Sequence, residues 1–492
     1  MVKKYYKFDT IMDVFDQAEK YISDETPVYE VEKQFILHKP ILVGLTTDVS
    51  YSETLEFLLS KVQGGVTESS LSELQSYYNN NSFETDYLKN ITYNVVYENP
   101  ANTYWYGGVK KIKDADYVGN MRAGMSENDA RKLINEWFLG KDLPMPISGG
   151  DTATGQASQG TYNYRIAEGG NLFDFDIEAS DVNQGMAGTC YILAAMGAVA
   201  EKNPDFIRDC FIDNGNGSYG VRFFVDNKAV YTTVDLSLPE YNGRLAFAGD
   251  ENASFSGELW VPLLEKGFAQ LNAQYDVNGS SGVTGENSYQ AIEGGFAYPI
   301  SLLTNLQYDY YSIGFPYADA NSRNSYSGSA WNFDEHKQQI VQALNSGSVG
   351  WLGSFGRSYA TNGDRELVSG HAYMITAYDA GTDKFEIRNP WGPGGASYGD
   401  YNEIFYLKFE DFWNSNIDPL IAISDSASRS KKENFVITNS AQSQSSGVVE
   451  GDAISFTIQR DNSDSRTQVF VSTQELTAVN EDFDGFSKFS IW

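Results

Sequence analysis

Residues that carry most enzyme chemistry are scarce in this chain. Cysteine occurs twice in 492 residues, at Cys190 and Cys210, and histidine three times, at His38, His336 and His371. Two cysteines exclude a disulfide framework, and no Cys/His spacing matches a zinc site. Positive charge is also short: 35 Lys and Arg against 66 Asp and Glu leave a formal net charge of −31. Nucleic acids and anionic membranes need a basic surface, so neither is expected as a partner. No stretch reaches the about 18 consecutive apolar residues of a membrane span. The first residues, Met1-Val-Lys-Lys-Tyr-Tyr-Lys-Phe-Asp, are basic with no apolar core behind them, unlike a standard secretory signal.

What is present is a globular composition, rich in Tyr, Phe and Gly, in a chain long enough for about three domains. Residues 1–145 read as a mostly helical region of unassigned role. Apolar residues recur at helical spacing at Leu55, Phe57, Leu58 and Val62, and Ser126-Glu-Asn-Asp is a helix start with an N-cap serine. Residues 146–164 form a Gly/Ser/Thr-rich linker, a candidate cleavage segment. Residues 165–427 are the expected chemical core, in two lobes at 165–296 and 297–427. A second polar linker spans 428–447, and 448–492 carries alternating strands such as Val448 to Arg460.

The core is organised around Asp181-Val-Asn-Gln-Gly-Met-Ala-Gly-Thr-Cys190-Tyr-Ile-Leu-Ala-Ala. Gly185, Gly188 and Thr189 form a turn. The apolar run from Cys190 to Val199 predicts a buried helix that Asn203-Pro204 ends. Cys190 then lies in the first turn, where unpaired N–H groups and the helix dipole favour a thiolate, the nucleophilic form. The competing reading is a buried core cysteine. Gln184 can offer amide N–H donors to an oxyanion near the same point. Downstream, Gly370-His371-Ala-Tyr and Asn389-Pro-Trp-Gly each read as a strand with a polar residue at its edge. His371 is the candidate general base and acid, with Asn389 orienting the imidazole. His336 is expected at a solvent-facing helix position, and Cys210 as a packed thiol.

Together these blocks resemble the calpain family of papain-like cysteine proteases. Gln184 to Ala195 matches its Q-G-x-x-G-x-C-x-x-L-A-A pattern, Gly370 to Tyr373 its G-H-A-Y, and Asn389 to Gly392 its N-P-W-G. Val234 to Phe247, Glu258 to Asn272 and Phe409 to Phe412 are similar as well, and the likeness covers about half of the chain. The resemblance implies an α+β fold, a two-lobed papain-like core with a helical lobe and a β-rich lobe. It implies hydrolysis of protein or peptide substrates through Cys190, His371 and Asn389, with Gln184 in the oxyanion hole and Trp391 shielding the His371–Asn389 pair. It also implies calcium (Ca2+) as cofactor, aligning the lobes. For the first-lobe site the matching carboxylates are Asp181 and Glu265. The second-lobe acidic stretch is replaced by Pro393-Gly-Gly-Ala-Ser-Tyr-Gly.

Glu450-Gly-Asp and Asn480-Glu-Asp-Phe-Asp-Gly resemble a Calx-beta repeat, a calcium-binding β-sandwich that would be truncated at Trp492. That repeat and the acidic composition suggest an extracellular protein, with a cytoplasmic one as the alternative. Two rival functions remain open: a catalytically silent adhesion or binding module, and a transglutaminase-like acyltransferase. Asn389 disfavours the second, because that class usually pairs histidine with aspartate.

Overall fold

The structure is a computed structural model. It describes residues 48–149, 160–174, 176–250, 252–277, 285–312, 333–354, 367–392, 403–409, 411 and 419–426, together with five short strands nearer the termini. The chain divides into two compact units, 47–429 and a second one built from 1–46 and 430–492. In the latter, strand Ile454–Arg460 pairs antiparallel with Lys33–Phe35 on one side and Phe435–Asn439 on the other, and Val469–Val471 pairs with Phe489–Ile491. The Calx-beta-like motifs at 450–452 and 480–485 lie outside the described residues, as does His38.

The larger unit opens with four helices, α1 (Tyr51–Val62), α2 (Glu68–Asn80), α3 (Asp86–Val96) and α4 (Glu127–Leu139). Each start is locally encoded. Ser50, Thr67, Thr85 and Ser126 cap their first turns with side-chain oxygens, and Ser50 with Glu53 forms a reciprocal capping box. Helix α4 ends at Gly140, whose φ of +62° is left-handed and whose added Cβ would lie 2.5 Å from the Val234 carbonyl carbon. Only glycine permits both the turn and that approach.

Val234 belongs to a three-stranded antiparallel sheet, β1 (Phe211–Asp213), β2 (Ser218–Val225) and β3 (Lys228–Asp235), with β2 in the middle. Asp226 and Asn227, both at positive φ, make the two-residue β2–β3 turn. This sheet fastens the four helices. Tyr87 on α3 donates to Thr233 Oγ1 (2.9 Å), and that hydroxyl donates to the Trp137 carbonyl on α4 (2.5 Å).

Two helices form the centre. α5 (Cys190–Lys202) is buried from Tyr191 to Ala200, and α6 (Trp260–Tyr275) from Trp260 to Gln274. α5 starts at Cys190 and stops before Asn203-Pro204, as its apolar run implies. Behind it stands a six-stranded antiparallel sheet: β4 (Tyr308–Ser312), β5 (Ser348–Ser354), β6 (His371–Asp379), β7 (Lys384–Arg388), β8 (Ile404–Leu407) and β9 (Pro419–Ser426), in the order β4-β9-β5-β6-β7-β8. Side chains alternate across it with the period of two that a pleat imposes. Trp351, Met374 and Ala422 join α5 in one core, while Leu352, Ile375, Ile421 and Ile423 join α7 (Phe333–Asn345) in another.

His336 departs from expectation. It is 7% exposed and meets the Tyr311 ring edge-on at 5.7 Å. Its spacing explains this, because His336, Ile340 and Leu344 recur every four residues and share the face of α7 turned to the sheet.

Candidate active site

Cys190 is the first residue of α5 and is only partly exposed. Its turn is held from three sides. Thr189, the preceding residue, donates its hydroxyl to Glu265 Oε1 on α6 at 2.5 Å, and Glu265 Oε2 accepts the Ala248 N–H at 3.0 Å. Glu293 Oε1 accepts the Gly188 N–H (3.1 Å), and its other oxygen accepts that of Gly149 (2.8 Å). The Gly188 carbonyl accepts from Gly294 N–H at 2.9 Å. Burial pushes the Glu265 carboxyl up to about 7, against the lowering effect of its two donors, and it raises Glu293 too.

Gln184 lies in the same turn, and its backbone N–H donates to the Pro390 carbonyl at 2.7 Å. The Asp181–Cys190 segment and the Asn389–Gly392 segment are therefore joined directly. Nε2 of Gln184 spends one hydrogen on the Ala187 carbonyl (2.7 Å), while its Oε1 is buried without a hydrogen-bond partner. An amide nitrogen has a second hydrogen, the one an oxyanion would use.

His371 opens β6 and Asn389 follows the end of β7. They are 6% and 2% exposed. Their side chains meet at 2.9 Å between His371 Nε2 and Asn389 Oδ1. Asn389 Oδ1 also accepts the Trp391 N–H at 3.1 Å, which identifies it as the oxygen end of the amide. Nε2 must then carry the proton, and the basic lone pair is on Nδ1. The Trp391 ring lies over the imidazole, centroids 4.5 Å apart and tilted by 39°, and Tyr373 meets it edge-on at 4.8 Å. These rings keep water from the pair, so the hydrogen bond is stronger than it would be in solvent. Helix α5 and strand β6 pack against each other. A Cβ at Gly197 would lie 2.5 Å from Met374 Sδ, and Trp351 Nε1 on the neighbouring strand donates to the Tyr191 carbonyl at 3.2 Å.

Cys210, the other thiol, is fully buried. Its Sγ donates to the Phe206 carbonyl (3.2 Å), and burial pushes its pKa up to about 12, which leaves it inert.

The pair expected to hold calcium is engaged elsewhere. Asp181 Oδ2 accepts from Glu178 N–H (2.8 Å) and Trp260 Nε1 (3.2 Å), and both oxygens of Glu265 are taken by protein donors. Among the described residues, no group of three or more His, Cys, Asp or Glu side chains is gathered to hold a metal. In this arrangement Asp181 and Glu265 do not fit a calcium ligand set, and no chemical step is assigned to an ion there. Glu403, near the altered second-lobe stretch, forms an ion pair with Arg388 instead.

Sequence reasoning missed Glu293 and the partnership of Thr189 with Glu265. The only local signal for Glu293 was its place just before Gly294-Gly295.

A cysteine at the start of a buried helix, packed against a β-sheet that carries a buried His–Asn pair, is the arrangement of a papain-like thiol protease. Residues 163–413, half of the chain, match the calpain family of cysteine proteases, and the chain belongs to that family. It is 28% identical over 310 residues to the calpain-type cysteine protease DEK1 of Zea mays, covering 57% of this chain and 12% of that protein. It is 27% identical over 254 residues to Calpain-A of Drosophila melanogaster, with coverages of 46% and 26%. Against Calpain-8 of Mus musculus it is 27% identical over 230 residues, covering 43% of this chain and 28% of that relative. The chain therefore spans between 12% and 28% of the length of these relatives.

Proposed function

We propose that this chain is a cysteine endopeptidase that cleaves proteins through a thioester acyl-enzyme, with Cys190 as nucleophile, His371 as general base and acid, and Asn389 as the group that orients the imidazole. The observation that carries the reading is the His371 Nε2–H to Asn389 Oδ1 hydrogen bond under the Trp391 ring, since it selects the tautomer a general base needs. The sulfur attacks the peptide carbonyl, and Gln184 and the Cys190 N–H hold the oxyanion. His371 protonates the departing amine, and water then hydrolyses the thioester.

The test is cleavage of an unfolded protein substrate by the full chain and by Cys190→Ala, across a calcium titration. Cleavage by the parent and none by the variant is expected. Cleavage that survives Cys190→Ala overturns the proposal, and absence of cleavage by folded protein at every calcium level favours the binding-module reading. Incorporation of an amine into a glutamine peptide without hydrolysis would mark an acyltransferase. The resemblance to calpains makes a calcium requirement part of the proposal. The donors already on Asp181 and Glu265 argue that such a requirement does not act through those two, so it should persist in Asp181→Asn.

A further inference from the structure

A second chemically distinct place lies away from Cys190, where the helical region meets the core. There α4, the segment after it, β3 and α6 enclose a cavity lined by Glu136, Trp137, Asp142, Thr232, Gln270 and Asn287, among others. Gln270 Nε2 donates to the Asp142 carbonyl (3.3 Å). Asn287 Nδ2 donates to the same carbonyl (3.0 Å) and to Asp142 Oδ2 (3.2 Å). These bonds fix the nitrogen end of each amide. The opposite atoms, Gln270 Oε1 and Asn287 Oδ1, are buried with no hydrogen-bond partner, as is Thr232 Oγ1. The three side chains are 7%, 3% and 1% exposed. Two carboxylates border the same space. Asp142 takes the N–H groups of Tyr106 and Gly107 on Oδ1, which leaves Oδ2 with the single long bond from Asn287.

Apart from the Thr232 hydroxyl, which can donate as well as accept, the unmet groups in this cavity are acceptor oxygens and carboxyls. A water molecule would satisfy the amide oxygens but leave two carboxyls bordering the same poorly solvated space. A hard cation satisfies both sets at once. Calcium accepts carboxylate, amide and hydroxyl oxygens together, in six- to eightfold and irregular geometry, whereas magnesium demands a near-octahedral set. We propose that this cavity is a structural calcium site, with Glu136, Asp142, Gln270 and Asn287 as its ligands, that ties the N-terminal helices to the protease core. Burial, with the Asp142 charge adding to it, raises Glu136 well above its ordinary range, and burial raises Asp142 to about 7 against the lowering pull of its hydrogen bonds and of Lys132. The site shares no residue with the Asp181–Glu265 region and does not depend on Cys190 chemistry.

The test uses the full chain, stripped with a chelator and titrated with calcium, with bound metal counted by equilibrium dialysis and mass spectrometry. The expected result is tight binding in the parent that Asp181→Asn leaves unchanged and Glu136→Gln or Asn287→Leu weakens at least tenfold. Terbium is the second probe, because Trp137 lines the cavity and should sensitise its emission. Trp137→Phe, which keeps every proposed ligand, should remove most of that emission. It therefore decides the matter even where a ligand variant fails to fold. Absence of bound calcium in the parent overturns the proposal, as does binding lost in Asp181→Asn but kept in Glu136→Gln, or terbium emission unchanged in Trp137→Phe.

Discussion

Thr189, one residue ahead of Cys190, gives its hydroxyl hydrogen to Glu265 Oε1 at 2.5 Å across 76 positions of sequence. The turn that carries Cys190 thus rests on a carboxyl buried in the central helix α6, and the charge on that carboxyl bears on folding.

Burial raises the Glu265 pKa from an ordinary 4.5 to about 7. A raised folded-state value means that the native protein holds the proton more tightly than the unfolded chain. Glu265 therefore contributes its full stability below about pH 4.5 and loses it as pH rises through about 7. At about 1.4 kcal/mol per unit, the loss is on the order of 3 kcal/mol. Urea midpoints of the parent should fall across that window, and Glu265→Gln should flatten the fall. Equal slopes in the two proteins would refute the assignment.

The proton on His371 Nε2 is placed by Asn389 Oδ1. Replacing Asn389 with alanine removes that acceptor and frees the imidazole to take the wrong tautomer. The expected effect is a kcat lowered by roughly 10²–10⁴-fold, the range of a general acid–base contribution, with KM nearly unchanged. Steady-state kinetics on a peptide substrate checks this, and an effect confined to KM would count against the orienting role.

Gly185 has no room for a side chain. An added Cβ would lie 2.4 Å from the Phe247 carbonyl oxygen and 2.5 Å from that of Ala246, both backbone atoms. In Gly185→Ala the turn must move and carry Gln184 with it. We expect a stability cost of about 1–3 kcal/mol, as for overpacking, and a fall in kcat of up to about 10²-fold from misplacement. Thermal unfolding and kinetics on the same preparation separate the two effects.

Lys266 is wholly buried and gives its ammonium hydrogens to Asp235 Oδ1 (2.6 Å), the Asp235 carbonyl (2.9 Å) and the Ser237 carbonyl (2.8 Å). Burial pulls its pKa down, and Asp235 opposes that pull. Lys266→Met leaves Asp235 with Lys141 (2.8 Å) as its remaining cation and should cost about 1–3 kcal/mol, less than the cost of a buried charge left wholly unpaired. The double variant with Asp235→Asn should recover part of the loss. Chemical denaturation measures both, and a double variant no more stable than Lys266→Met would show that the pair is not the source.

Much of the site is written in short segments. The apolar run after Cys190, closed by Asn203-Pro204, determines where α5 starts and stops, because helix propensity, burial and a proline stop act within a few residues. Alternation around His371 and Asn389 likewise determines that both residues stand at strand ends. The caps at Ser50, Thr67, Thr85 and Ser126 are local for the same reason, each a side chain reaching a backbone N–H three residues on.

What only the tertiary structure decided is which groups meet. Thr189 finds Glu265, Glu293 finds Gly188 105 positions away, and Tyr87 finds Thr233 across 146. The His336 misreading has the same origin, since a polar residue on a helix tells nothing of which face a distant sheet will cover. The chain by itself determined its elements and the residue types at their ends. Packing decided the pairings, because hydrogen bonds and burial between distant segments depend on how helices and sheets are stacked, which local spacing does not encode.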